Sequence, residues 1–396
     1  MKQRIAVAGA GPAGLVAALA LARAGHAVHV FERRDCASTA SRATTFHPPA
    51  VDLLDTLGVL DALAPQGRAV EELKYFRCYT GRPELAAHFR LELLKDQVAH
   101  PWRLHLEQYL LTDALRHAVA ALPSARVEFG AAVVDLAETG TGIDVCLERE
   151  SGPGRESFDW LIGADGVRST VRGRAGLRFE GEDYAKRVLR VMTPADLPTL
   201  IPGLAGVSYL YYEDDSASLL QMRDHWRIVL RLPETVTDEE ALDPAYLHKA
   251  LRRFVRTAPD LPAQARDTYS ASRRIASAFR RGRVLLIGDA AHVTNTRGGM
   301  NMNAGMFDAW TLAQEFSGAA DAAALEVALD TWADRRRAIA VDELVTRTER
   351  SVGGGATYLA AIEASARFPD RARRFLREVT MLDIAPDFAA PPAAAS

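Results

Sequence analysis

Cysteine is scarce in this sequence. Its 396 residues hold three, Cys36, Cys78 and Cys146, far apart and with no C-x-x-C pair. That excludes a disulfide framework and a thiol metal site, and points to a reducing cytoplasm. An excess of one charge is missing too. With 48 Lys and Arg against 51 Asp and Glu, the net charge is -3, which gives no electrostatic footprint for nucleic acid. No apolar run is long and unbroken enough to span a bilayer. No internal repeat is evident and no metal is expected. These absences leave small molecules as the expected partners. What is present is ordinary for a globular protein, 25% charged and 48% hydrophobic residues, on a chain long enough for about two domains.

The opening MKQRIAVAGAGPAGLVAALALARAG imitates a secretory signal, with basic residues, an apolar run and small residues. A signal has no need of glycines at 9, 11 and 14, however, and the HAVHVFER that follows reads as another strand. RIAVAG fits a short buried strand, GLVAALALARAG a helix closing at Gly25, and HAVHVFER a second, parallel strand. Between the first strand and the helix, Gly9, Gly11 and Gly14 form G-x-G-x-x-G. Gly9 permits a tight turn, Gly11 lets the backbone approach a pyrophosphate, and Gly14 lets the helix pack closely on the strand. The helix start turns its positive end to the phosphates. Glu32 ends the second strand, where an acid would accept from the adenosine ribose hydroxyls. Pro12, Ala13 and Arg33 complete this set of cofactor-binding candidates. A glycine-rich turn without a ligand is the competing reading; strand, helix and acid together speak against it. The fingerprint alone does not distinguish FAD from NAD.

Downstream, PPAVDLLDTLGVLDAL reads as helix, residues 73 to 92 as alternating strands, and LEQYLLTDALRHAVAAL as helix. Strands broken by TGTG and SGPG turns follow from Arg126 to Leu161. Residues 186 to 232 read as a second sheet. In HWRIVLRL, Trp226, Ile228, Leu230 and Leu232 share one face, and Arg227, Val229 and Arg231 the other. RVLLIGDAAH returns to strand, helices follow, and FAAPPAAAS reads as a frayed tail.

Two further motifs stand out. In DWLIGADGVRSTVR, Asp165 emerges from an apolar strand, a position where an acid needs a hydrogen-bonded partner or a ligand. In GDAAHVTNTRGGMNMNAGMFDA, Asp289 precedes a glycine pair, Gly298 and Gly299, and a helix start. Taken in order, the three motifs resemble the fingerprints of the flavoprotein aromatic hydroxylases, the family of para-hydroxybenzoate hydroxylase. The match runs from Gly9 to WADRRRAIA at 332 to 340. The resemblance implies an α/β fold: a Rossmann-type FAD-binding domain with an inserted mixed β-sheet substrate domain and C-terminal helices. Residues 1–72, 101–175 and 275–390 would form the discontinuous FAD-binding domain, 73–100 and 176–274 the substrate domain, and 391–396 a tail.

By the same resemblance, Asp289 hydrogen-bonds the ribityl chain of FAD, and Gly298 and Gly299 let the loop approach the ring system. Backbone amides near Met302 and Asn303 face the pyrimidine end of the flavin, where reduction places negative charge. Arg42 matches an arginine that contacts the FAD phosphates and Gln108 a glutamine that reaches the cofactor; a solvated arginine and a polar helix residue are the alternatives. Asp165 belongs to the second fingerprint. His292 is read as scaffold rather than base. Two features depart from the family pattern: Thr294-Asn295-Thr296-Arg297 stands where many members have a proline pair, and Asn301 replaces a usual glycine.

No second G-x-G-x-x-G is present, so the reductant has no separate nucleotide domain. The resemblance implies that NADH or NADPH binds transiently, reduces non-covalently bound FAD, and leaves. Dioxygen then gives a flavin C4a-hydroperoxide whose distal oxygen passes to an electron-rich aromatic or heteroaromatic ring, the protein excluding water and orienting substrate. Tyr209, Tyr211, Gln221, Arg223 and His225 are the candidate substrate-lining residues, with packing or surface roles as the alternative, and no catalytic base is named. A flavin halogenase would carry W-x-W-x-I-P, and none of the five tryptophans lies two residues from another. A same-fold reductase or oxidase, and a non-catalytic flavin-binding protein, remain as rivals.

Overall fold

The computed structural model describes residues 2–40, 42–213, 215–353 and 355–388. The segment 391–396, read above as a tail, lies outside the described residues. The chain begins with strand β1 (Arg4–Ala8), helix α1 (Pro12–Arg23) and strand β2 (Ala27–Glu32). β1 and β2 pair in parallel, and Gly25, at φ +91°, turns the chain between helix and strand. α1 is buried from Gly14 to Ala22, because an apolar helix of this kind finds no solvent face. It packs between the sheet and the helix Met300–Gly318.

The sheet around β1 has six strands in the order Arg280–Arg281, Val284–Leu286, Trp160–Gly163, β1, β2 and Ala125–Phe129. All its pairings are parallel except the outermost one, at Arg280–Arg281. Covered on both faces, β1 reads Ile5-Ala6-Val7-Ala8 with every residue buried, as central parallel strands do. Chain order reverses on either side of β1. A crevice therefore opens beyond the carboxyl ends of β1 and Trp160–Gly163, the usual ligand position in a doubly wound sheet.

A second, seven-stranded sheet runs Ala265–Tyr269, Val188–Thr193, Trp226–Arg231, Asp215–Gln221, Val207–Tyr212, Glu72–Arg77 and Glu84–Arg90. It is mixed: Val207–Tyr212 pairs in parallel with Glu72–Arg77, and the other neighbours are antiparallel. Period-two alternation sorts its side chains. Trp226, Ile228, Leu230 and Leu232 are buried in a separate core with Leu247, Leu251 and Phe254, whereas Arg227, Val229 and Arg231 face a cavity. The C-terminal helices Gly355–Ala366 and Pro369–Val379 pack on the far strands through Leu359, Ile362 and Leu376. Among the described residues no helix is long and apolar enough to cross a membrane.

Candidate functional site

One cavity of about 1560 Å³ extends from the crevice of the parallel sheet to the inner face of the second sheet. Gly9, Gly11, Pro12, Ala13, Glu32 and Arg33 line its first end. Gly9 has φ +104°, and a Cβ there would lie 2.4 Å from the Ala164 carbonyl oxygen, so the turn closes against the neighbouring strand only without a side chain. A Cβ on Gly14 would lie 2.0 Å from the Gly9 oxygen; that residue is buried and serves packing. At Gly11 a Cβ meets nothing within 4 Å. Gly11 is also the N-cap of α1 and has no side-chain cap, so the first-turn amides offer their hydrogens at the cavity wall. The Glu32 carboxylate is held there by the amides of Ala10 at 2.9 Å and Arg34 at 3.1 Å.

The second motif adds Asp165 beside Gly9. Its carboxylate accepts from Ser169 Oγ at 2.5 Å and from the Val171 amide at 3.1 Å, which supplies the partners the sequence required. Arg172 donates to the carbonyls of Ala290 and Val167, at 2.9 and 2.8 Å, and its guanidinium lies 3.7 Å from the centre of the Phe179 ring. It thereby clamps the second motif to the third. Gln108 opens the helix Gln108–Ala120 on the cavity wall. Arg42 lines the cavity with an exposed side chain, while its carbonyl accepts from Arg227 Nη1 at 2.7 Å.

The third motif is tied together by a chain of side chains. Arg336 Nε donates to Asp308 Oδ1 and His292 Nε2 meets Asp308 Oδ2, both at 2.7 Å. Asn301 Oδ1 lies 3.2 Å from His292 Nδ1, and its amide nitrogen donates to Asp289 Oδ1 at 2.7 Å. Burial alone would raise the Asp308 pKa, but Arg336 and His292 outweigh it and bring the value down to about 2. Burial would lower His292, but Asp308 outweighs it and raises the value above the usual imidazole range. His292 is thus buried in the scaffold, with its protonated form favoured by Asp308. Asp289 presents its carboxylate to the cavity; the surrounding protein raises its pKa, against the pull of His292, Arg42 and Asn301.

Gly298 and Gly299 have φ of +82° and +67°, a left-handed pair that turns the chain into the helix Met300–Gly318. A Cβ on Gly299 would lie 2.9 Å from Thr45 Cβ. Met302 lines the cavity. Asn303 is fully buried: its Nδ2 donates to the carbonyls of Gly299 and Thr45, at 2.7 and 2.9 Å, and its Oδ1 accepts from the His47 amide at 3.1 Å. The side chain fixes the helix start, and only its backbone is left for a ligand.

On the second sheet the expectations need correction. Tyr209 lines the cavity. Tyr211 is buried behind the wall and receives Arg297 Nη2 on its hydroxyl at 2.6 Å. Gln221, Arg223 and His225 lie outside the cavity lining. Alternation aims Ser216, Ser218 and Leu220 inward. Gln221 then ends its strand, and the connection 222–225 carries the chain away; Arg223 is exposed and donates to the Pro65 carbonyl. The charged residues that the sheet does bring to the wall are Arg190, Arg227, Arg231 and Asp267, with Arg297 added from the loop before the helix Met300–Gly318. Arg190 pairs with Asp267, Nε to Oδ1 at 2.9 Å, and Arg227 with both oxygens of Glu107, at 2.9 and 3.1 Å. The signal for Arg227 and Arg231 was their place opposite the apolar face of HWRIVLRL. Arg190 carries the same period-two signal in RVLRVMT.

His29, Glu128 and Glu156 bring possible metal-ligand atoms together away from this cavity. Arg149 donates to both carboxylates, at 2.5 and 2.6 Å, and occupies them as an ion-pair network.

A family model described as FAD binding domain matches residues 2–348. The chain is 32% identical over 342 residues to 6-hydroxy-3-succinoylpyridine 3-monooxygenase of Pseudomonas putida (strain DSM 28022 / S16), covering 85% of each protein. It is 28% identical over 342 residues to para-nitrophenol 4-monooxygenase of Pseudomonas sp. (strain WBC-3), covering 84% of this chain and 82% of that one. Among solved structures, p-nitrophenol 4-monooxygenase from Pseudomonas putida DLL-E4 superposes with a TM-score of 0.85 at 25% identity, over 96% of this chain and 98% of that one.

Proposed function

This chain belongs to the FAD-binding domain family, among the flavin-dependent aromatic monooxygenases, and on that premise we propose that it hydroxylates an electron-rich aromatic or heteroaromatic small molecule with dioxygen and NADH or NADPH. The observation that carries the reading is the single cavity joining a dinucleotide crevice to a polar and aromatic sheet face. The residues at the crevice fit FAD. Gly11 offers a bare backbone where a Cβ would enter open space, and the uncapped start of α1 suits a pyrophosphate. Glu32 and Asp289 present carboxylates for hydroxyl groups at separate points of the cavity wall. Arg42, Gln108 and Asp165 stand along the same wall, and Arg33 marks its exposed end. The helix Met300–Gly318 starts without a side-chain cap and Met302 lines the cavity, so its first-turn amides suit negative charge there without reorganising.

When bound, FAD supplies the redox chemistry that activates dioxygen. The chain's own part is to hold that cofactor, to orient the ring against it, and to keep water out between the two sheets. Residues 1–72, 101–175 and 275–390 act as the cofactor domain, and 73–100 with 176–274 as the substrate domain. Cys36, Cys78 and Cys146 are free, which suits a reducing cytoplasm.

The test is a substrate screen. Purified, FAD-loaded protein is given NADH or NADPH with phenols, aminobenzoates, hydroxypyridines and polycyclic phenols, and product is scored. A hydroxylated product from one class, formed as that compound accelerates nicotinamide oxidation, is the expected result. Nicotinamide oxidation that no aromatic compound changes would mark an oxidase, and a halogenated or reduced product another reaction.

A further inference from the structure

Among the arginines that line the cavity, Arg190, Arg227, Arg231 and Arg297 stand toward the second sheet, and they are not equivalent. Arg190 and Arg227 are neutralised by Asp267 and Glu107. Arg297 comes from the loop after the GDAAH segment, at the place where the family pattern has prolines. It is held by neutral oxygens, donating to Tyr211 Oη at 2.6 Å and Ser216 Oγ at 2.7 Å, with its guanidinium 5.1 Å from the centre of the Tyr211 ring. Arg231, on the sheet, makes no hydrogen bond or ion pair with any described residue. The nearby acid, Asp215, is engaged by Arg253 Nη1 at 2.7 Å. Burial, and after it the neighbouring Arg297, lower the Arg231 pKa to about 10, so it stays protonated at neutral pH. Two cations without a carboxylate therefore share one half-buried wall, an arrangement that an anion entering the cavity relieves.

We propose that Arg231 and Arg297 form a clamp for a carboxylate on the aromatic substrate, so that the enzyme selects ionised aromatic acids over neutral aromatics. One arm comes from the second sheet and the other from the cofactor-side loop, so the anion bridges the two regions. Guanidinium forks suit a planar carboxylate, which can accept from both. With the acid so fixed, the ring lies in the space lined by Tyr209, Leu220 and Val229. Arg297 is already aimed by Tyr211 and Ser216, so it loses little freedom on binding. Arg231 is unengaged until the anion arrives. The clamp rests on the reading that this cavity holds the aromatic substrate.

The test uses the FAD-loaded protein without reductant. Matched pairs are titrated: 4-hydroxyphenylacetate against 4-hydroxyphenylacetamide, 3-hydroxybenzoate against 3-hydroxybenzamide, and 6-hydroxynicotinate against 6-hydroxynicotinamide. Flavin absorbance and calorimetry read the binding. At least one acid should bind roughly tenfold or more tighter than its amide, as for a lost charge-assisted bond. Arg231→Gln and Arg297→Gln should each bring that ratio close to one, leaving flavin content and amide affinity unchanged, and Arg231→Lys should restore part of it. NADP+ is titrated in parallel, because its phosphates are the other anions that could enter.

No acid binding more tightly than its amide, a ratio that survives both Gln variants, or variants that weaken NADP+ rather than the acid would overturn the clamp. Hydroxylation of neutral phenols alone would also sink it, while leaving the monooxygenase reading intact. A strong preference for an acid that is never oxygenated would do the reverse.

Discussion

A valine at position 11 would extend into the cavity, since nothing stands within 4 Å of a Cβ there and the backbone at φ -80° accepts it. Gly11→Val should therefore fold normally and bind FAD at least about tenfold more weakly, because it fills the backbone's close approach to the pyrophosphate. Flavin content after gel filtration checks this, and full occupancy would count against the assignment. Asp289→Ala should lower flavin content as well. Asp308→Asn differs in kind, because it strips the counter-charge from His292 and Arg336. Breaking such a buried pair costs about 3–5 kcal/mol, measurable by denaturant unfolding; a change under about 1 kcal/mol, as for a surface pair, would show the cluster to be dispensable. Of this network only the scaffold role of His292 was expected, from the family resemblance; its partners were not legible in the sequence. His292, Asp308 and Arg336 come together through the packing of two helices on a strand, and no local pattern announces that meeting.

At the level of elements, the strand–helix–strand opening was readable because its information is local: an apolar strand, glycines at fixed offsets and an acid at the end of the next strand. The faces of Trp226–Arg231 were readable for the same reason, from period two alone. The substrate-lining residues were not. Excluding Gln221, Arg223 and His225 required knowing that the strand Asp215–Gln221 stops and turns away from the cavity, which the polar sequence QMRDH does not tell. The start of the helix Met300–Gly318 depends on two left-handed residues in succession. Gly299→Ala forces a side chain into that conformation, at about 1–2 kcal/mol, against Thr45 at 2.9 Å. The expected outcome is a lower melting temperature together with weaker flavin binding, since the helix start shifts. Loss of stability with unchanged flavin affinity would separate the turn from the cofactor site.

Across the whole molecule, buried neutral histidines set the response to acid. His26 and His105 are lowered to about 4 by burial first, with the N-terminal charge adding at His26 and Arg103 and Arg227 at His105; His47 lies well below the usual value for the same leading reason. A histidine whose folded pKa is depressed takes up its proton more readily when unfolded. Its stabilising contribution is present above about pH 6.5 and shrinks as the pH falls toward 4. At 1.36 kcal/mol per unit, His105 accounts for up to roughly 3 kcal/mol. His292 acts with the opposite sign: its raised pKa stabilises below 6.5, and that contribution is lost as the pH rises through its folded value. Burial leads in lowering His29, to about 4, and His225 as well, so five depressed histidines stand against one raised, and stability should fall on acidification through this window, measured by denaturant midpoint against pH; a flat profile would contradict the neutral state of these imidazoles.

In this reading the two sheets enclose a site where dioxygen is split between an aromatic ring and water. Turnover under isotopically heavy dioxygen in ordinary water tests it most directly, with mass spectrometry of the product. One heavy oxygen atom per hydroxylated ring is the predicted result, and a product whose new oxygen came from water, or that gained no oxygen at all, would contradict it.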